Sequence, residues 1–130
     1  MAQADPAASI VQRCIETITL LDAQLRHFPR HEQHGLCARL RNAAYDLYEL
    51  IVEGQKRYHN KTTLTKLDVR HEQLRMLLNV AWELGYFHYH HHKRGNSDRE
   101  ALRRYTALSA KINELGAMIG GWLKSLRAAA

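Results

Sequence analysis

The sequence is poor in residues that interrupt helices. It has only two prolines and seven glycines in 130 residues, whereas an all-β fold needs turn residues about every 8–12 positions. No run approaches the ~18 consecutive apolar residues of a membrane-spanning helix. Residues 1–6 lack the cationic start and apolar run of a secretory signal. We therefore expect a helical, cytoplasmic protein without a membrane anchor.

Cysteine is also scarce. Cys14 and Cys37 stand alone, without the C-x-x-C spacing of a metal or redox site. They are interpreted as buried thiols in a reducing compartment rather than as a disulfide. Hydrophobic residues make up 45% of the chain, which is enough for a core. The length fits a single domain over residues 1–130.

Apolar residues recur at alternating three- and four-residue steps in four segments, the pattern of helices with one buried side. Helices are predicted near 7–28, 31–59, 65–89 and 98–127. Pro29 and the polar turns at 60–63 and 95–97 separate them. Thr65 is a predicted N-cap, and Ser97 with Glu100 forms a predicted capping box. Short connections predict an all-α, antiparallel up-down-up-down four-helix bundle.

Positive charge is concentrated in two segments. The chain carries a net charge of +6, yet residues 54–75 hold six Lys/Arg against two acids, and residues 93–111 hold the same excess. The two segments thus carry more than the whole net charge, which suggests a surface for phosphate backbones rather than uniform solubilising charge. The predicted nucleic-acid-binding residues are Arg30, Arg41, Lys56, Arg57, Lys61, Lys66, Arg70, Arg75, Lys93 and Arg94.

The predicted topology brings most histidines to one end of the bundle, where the first and third connections lie. This end collects His27, His31, His34, His88, His90, His91 and His92. If helix 3 continued, His88 and His92 would be one turn apart and could share a metal. No nearby carboxylate or cysteine completes such a site, so we expect no metal and no cofactor.

The bundle also raises the possibility of a di-iron enzyme, which needs a Glu-x-x-His pair on each of two helices. That motif is absent, and Asp68-x-x-His71 has no second copy. His71 is interpreted as a hydrogen-bonded core or boundary histidine. No nucleophile elbow or phosphate-binding glycine loop is present. We therefore predict no catalytic residues, and a metal-dependent helical enzyme remains the weakest alternative.

A second set of aromatic and small residues lies beside the core stripes. A lone bundle needs little more than one apolar stripe per helix, so the surplus favours self-association or a protein partner. Gly116 and Gly120 on helix 4 serve either close packing inside the bundle or close approach of another protomer. The predicted interface residues are Tyr45, Tyr48, Trp82, Tyr86, Gly116 and Gly120.

The order of several segments resembles the accessory variability determinant (Avd) proteins of diversity-generating retroelements. The resemblance covers residues 10–127. It rests on Phe28-Pro29-Arg30, residues 47–54 (LYELIVEG), 64–68 (LTKLD), 74–78 (LRMLL) and 119–123 (IGGWL). The four-helix proteins of ribosomal RNA intervening sequences are similar, but their Asn-Ile-Ala-Glu-Gly stretch is replaced here by residues 49–54.

The resemblance implies a homopentamer of four-helix bundles with a basic surface that binds a reverse transcriptase and RNA or DNA. It further implies a supporting part in mutagenic retrohoming, with no catalytic residue in this chain. The alternative implied by the second family is a stand-alone bundle that binds RNA or one protein partner.

Overall fold

The computed structural model describes residues 6–129 and contains four long helices. They are α1 (Pro6–Leu25), α2 (Leu36–Lys56), α3 (Lys61–Glu83) and α4 (Asp98–Ala129). Each helix packs against the next along the chain, and α4 packs back on α1. The predicted all-α, up-down-up-down bundle is confirmed. Within the described residues, no helix has the length and apolar character required to cross a membrane.

The buried core contains many of the apolar residues that recur at the predicted three- and four-residue steps. They include Leu21 and Leu25 of α1, Leu40 and Leu47 of α2, Leu67, Leu74 and Leu78 of α3, and Leu108, Ile112, Leu115 and Ile119 of α4. Cys14 and Cys37 are buried free thiols, as predicted. Burial raises the pKa of Cys14 to about 12 and that of Cys37 to about 11, which leaves both as poor nucleophiles.

The first connection is longer than predicted, because α1 ends at Leu25 rather than at 28 and α2 begins at Leu36 rather than at 31. A short 3-10 helix, Arg30–Glu32, lies between them. The Gln33 side chain ends α1 by donating from Nε2 to the carbonyls of Leu25 (2.9 Å) and Phe28 (3.2 Å). Each carbonyl also accepts from another donor, the Phe28 N–H for Leu25 and His92 Nδ1 for Phe28.

The second connection is shorter than predicted, since α3 begins at Lys61. Thr65 is therefore inside the helix, and its hydroxyl donates to the Lys61 carbonyl (2.9 Å) instead of capping. Thr63 is buried and donates to Glu53 Oε2 at 2.7 Å. Asn60 Nδ2 donates to the Gly54 carbonyl at 2.9 Å. These contacts fix the α2–α3 turn.

The third connection contains structure that the sequence analysis did not predict. α3 ends at Glu83, and Gly85 follows in the left-handed conformation (φ 77°), a common way to terminate a helix. A 3-10 helix, Tyr86–His88, leads into an antiparallel hairpin of β1 (Tyr89–His90) and β2 (Lys93–Arg94). The predicted end of the third helix at residue 89 is therefore wrong, and His88 and His92 are not one helical turn apart.

The start of α4 agrees in part with the predicted capping box. Ser97 Oγ accepts a hydrogen bond from the Glu100 N–H at 3.1 Å, as an N-cap does. The Glu100 carboxylate, however, contacts Arg103 and Arg104 instead of reaching back to Ser97.

Candidate nucleic-acid interface and histidine cluster

The α2–α3 turn carries a group of exposed cations. Lys56 and Arg57 end α2, and Lys61 and Lys66 lie in the first turns of α3, so the turn places them at one end of the bundle. Arg57 lies 3.8 Å from Glu53, a loose contact between two exposed groups. Lys61 and Lys66 line a shallow groove with Thr62, Thr65 and Val69. We name Lys56, Arg57, Lys61 and Lys66 the turn cluster.

Lys66 and one further predicted cation, Arg70, border a polar groove whose other side belongs to α2. That side carries the carboxylates of Asp46, Glu49 and Glu53. The turn cluster is therefore bounded by acids along α2.

Arg41 and Arg75 are less suited to binding a phosphate than the sequence suggested. Arg41 Nε lies 3.2 Å from Asp22 Oδ1, and only 23% of the Arg41 side chain is exposed. Arg75 Nε donates to Glu72 Oε2 at 3.0 Å, and this bonding lowers the pKa of Glu72. A ligand phosphate would have to compete with a carboxylate at both positions.

Arg30, Lys93 and Arg94 lie at the opposite end of the bundle, with the hairpin. All three are exposed. The Arg94 side chain lies close to Gly85, just beyond the end of α3. A Cβ placed on Gly85 would stand 3.2 Å from Arg94 Nη1. Seven of the ten predicted cations thus lie at the two opposite ends of the bundle rather than on one surface.

The predicted interface residues also separate into two groups. Tyr45 and Tyr48 line an apolar groove of about 340 Å³ between α1 and α2, together with Ile15 and Ile18. Tyr45 is 45% exposed, so this groove is open to a partner.

Trp82 and Tyr86 lie instead in an aromatic cluster beneath the hairpin. The Trp82 ring is 4.9 Å from that of Tyr105, and the Tyr86 ring is 5.7 Å from that of Phe28. The Tyr86 hydroxyl donates to Glu32 Oε2 at 2.8 Å. Burial and this hydrogen bond raise the pKa of Tyr86 to about 12. Both residues hold the third connection onto the bundle.

The two glycines of α4 differ. Gly116 faces His71, and a Cβ there would stand 2.8 Å from the His71 Nε2. His71 is buried and donates from Nε2 to the Ile112 carbonyl at 2.7 Å, which confirms it as a hydrogen-bonded core histidine. Gly116 therefore serves packing inside the bundle. Gly120 is exposed, and a Cβ there would meet nothing within 4 Å.

The hairpin brings together histidines that are far apart in the sequence. The His27 ring stacks on that of His90 (4.6 Å between centroids) and meets that of His91 edge-on (4.9 Å). One ligand atom from each of the three lies within 4.8 Å of the others. Burial lowers the pKa of His27, and the nearby His90 acts in the same direction. The predicted convergence of histidines is confirmed for this group.

Two features of the structure were not predicted from the sequence. His27 was not linked to the later histidines as a ligand, because nothing in the spacing indicates contact across 63 positions. An exposed apolar stripe on α3, formed by Val69, Met76 and Val80, was also missed. Its spacing of seven and four residues is visible in the sequence. The longer apolar stripe beside it forms the core, however, and only that stripe was interpreted.

A family model described as bAvd-like matches residues 9–126, a range that begins in α1 and ends in α4. No curated protein matches the chain.

Proposed function

The chain belongs to the bAvd-like family, and on this premise we propose that it is a non-catalytic accessory protein of a diversity-generating retroelement. It binds the element's reverse transcriptase together with template RNA and cDNA, in the cytoplasm, and so supports mutagenic retrohoming. The observation that carries this proposal is the family match over residues 9–126. The match also favours the retroelement function over that of the ribosomal intervening-sequence proteins.

The turn cluster is the proposed contact with nucleic acid. Its side chains are exposed, so they can reach phosphates without first losing a buried partner. Each cation that neutralises a phosphate releases condensed counterions, which gives affinity that is independent of base sequence. Arg30, Lys93 and Arg94 form a second contact at the other end of the bundle, where a long nucleic acid or a neighbouring protein can bridge them.

Self-association into a ring supplies many copies of this surface. A closed ring needs two different surfaces that fit each other, and the bundle has two separate apolar surfaces. One is the α1–α2 groove of Tyr45 and Tyr48. The other is the exposed stripe of Val69, Met76 and Val80 on α3. In the proposed homopentamer, the α3 stripe of one protomer docks on the α1–α2 groove of the next.

The polymerase performs the chemistry in this proposal, and the accessory protein acts as a scaffold. A ring that holds polymerase and template at once raises the effective concentration of each for the other. This scaffold role requires cationic and apolar surfaces on the accessory protein.

Co-purification tests this function. The tagged chain is co-expressed with the reverse transcriptase of a diversity-generating retroelement, and the complex is isolated with and without nuclease treatment. We expect the polymerase to be retained after nuclease treatment, because the contact includes protein surfaces. A chain that retains only ribosomal RNA, and no polymerase in either preparation, would instead identify an intervening-sequence type of function.

A further inference from the structure

Three imidazoles meet where the hairpin lies on the end of α1. His27 is half-buried just beyond α1, His90 ends β1, and His91 begins the hairpin turn. One ring nitrogen from each lies within 4.8 Å of the other two. The cluster is distant in the fold from the turn cluster, and the proposed function does not use it.

The backbone holds the three rings together by bonding the hairpin to α1. The His91 N–H donates to His27 Nδ1 at 3.1 Å, and the His92 N–H donates to the His27 carbonyl at 3.0 Å. His92 Nδ1 also donates to the Phe28 carbonyl at 2.8 Å. The position of the hairpin is therefore set by contacts other than those between the imidazoles.

The turn itself has an unusual backbone. His91 and His92 both have positive φ, 48° and 71°, which is the geometry of a two-residue hairpin turn that usually carries Asn-Gly or Gly-Gly. Side chains with a Cβ are disfavoured there. Strained backbone of this kind persists where the surroundings hold it, and it is concentrated at ligand sites.

We propose that His27, His90 and His91 form a binding site for a divalent transition ion of the Zn²⁺ class, with water as the fourth ligand. Imidazole nitrogen is a preferred ligand of Zn²⁺, and three histidines with one open position are a known coordination set. In a tetrahedral site with Zn–N bonds of about 2.0–2.1 Å, the nitrogens lie roughly 3.3 Å apart. His90 and His91 are exposed, so their rings can turn to close the remaining gap.

Coordination requires one hydrogen bond to change. A neutral imidazole has a single nitrogen lone pair, and in His27 that lone pair accepts the His91 N–H. A metal bound to His27 takes this lone pair and releases the N–H. His91 is exposed, so water can accept a hydrogen bond from the released N–H. The two hydrogen bonds from His92 keep the hairpin in place.

The surrounding charge is compatible with a dication. Arg104 is near enough to His27 to oppose positive charge there. Its guanidinium, however, lies 2.9 Å from the Glu100 carboxylate, which it shares with Arg103, so part of its field is offset. A bound ion would join the β1–β2 hairpin to the end of α1 and stabilise the folded chain by mass action.

The test is a calorimetric titration of the metal-free full-length protein with Zn²⁺, with Co²⁺ as a spectroscopic probe of coordination. We expect one Zn²⁺ per chain, the intense visible absorption of tetrahedral Co²⁺, and a higher unfolding temperature with Zn²⁺ present. Loss of a group that merely supports a metal ligand weakens binding by about 10–100-fold. His90→Gln and His91→Gln each remove a ligand, so they should weaken binding by at least as much.

His34→Gln and His59→Gln are the matched controls. Both residues are exposed; His34 is at the hairpin end and His59 is at the opposite end. We expect both variants to bind Zn²⁺ as the unmodified chain does. Equal affinity in His90→Gln, His91→Gln and the controls would overturn the proposal, as would the absence of saturable binding. His90→Gln leaves the hydrogen bonds of the hairpin in place, and far-UV circular dichroism verifies that each variant is folded.

Discussion

His71 reaches across the bundle to α4 because residue 116 has no side chain. A Cβ at Gly116 would stand 2.8 Å from His71 Nε2, the atom that donates to the Ile112 carbonyl. The carbonyl is one helical turn before Gly116, so the imidazole passes over the glycine to reach it. The hydrogen bond and the glycine therefore depend on each other.

Gly116→Ala should destabilise the fold. Overpacking a core costs about 1–3 kcal/mol, and displacing the imidazole also loses a hydrogen bond worth about 0.5–1.5 kcal/mol. The higher helix propensity of Ala returns only about 1 kcal/mol. We expect a net loss of about 0.5–3.5 kcal/mol in the free energy of unfolding, measured by urea denaturation.

Gly120→Ala is the control, because it makes the same change in the same helix where a Cβ meets nothing within 4 Å. It should stabilise the protein by up to about 1 kcal/mol through propensity alone. Gly116→Ala combined with His71→Ala should cost less than the sum of the single changes, since the clash is removed. Equal stabilisation by both glycine substitutions would contradict this account of Gly116.

Stability should fall in acid partly through Glu100. Hydrogen bonds from Arg103 and Arg104 lower the pKa of Glu100 from its ordinary value of 4.5 to about 2. Because the folded state holds this proton less tightly, the contribution of Glu100 is complete above the unfolded pKa and is lost as pH falls towards the folded one. Thermal unfolding between pH ~5 and ~2.5 should therefore show a smaller decline in Glu100→Gln. An identical decline in thermal stability in the unmodified chain and in Glu100→Gln would contradict the lowered pKa of Glu100.

Apolar spacing in the sequence was sufficient to predict the four helices, because the core is made of continuous stripes such as Leu67, Leu74 and Leu78. The Ser97 cap was also predictable, since its acceptor and donor are three residues apart. Local patterns of this kind require no knowledge of the rest of the fold.

The helix ends and the hairpin depended on contacts between distant or atypical residues. Gln33 ends α1 from beyond the turn, and no local rule identifies it. The predicted third helix ran to residue 89, whereas Gly85 in the left-handed conformation follows its end at Glu83. The hairpin was missed because His91 and His92 occupy a turn where Asn and Gly are usual. The sequence predicted that His27, His90 and His91 share one end of the bundle, but their direct contact depends on that turn and could not be predicted.

Self-association should depend on the exposed stripe of α3. Light scattering is expected to give a mass several times 15.0 kDa, with five copies favoured. Replacing Val69, Met76 and Val80 with Ser should lower that mass, because the stripe would lose the apolar area that drives docking. Tyr45→Ser should act in the same direction from the α1–α2 groove. A strict monomer at micromolar concentration would contradict the ring.

The most direct test of the proposed function is the salt dependence of binding to an RNA and a DNA of equal length. Changing Lys56, Arg57, Lys61 and Lys66 to Gln should weaken binding to both. Each lost phosphate contact lowers the slope of log K against log salt by about 0.7–0.9, so four lost contacts lower it by about 3. The control changes Arg13, Arg26, Arg103 and Arg104 to Gln. It removes the same charge, but from arginines paired with carboxylates. We predict a flattened slope only in the turn-cluster variant; an unchanged slope there, or equal losses in both variants, would contradict the proposed interface.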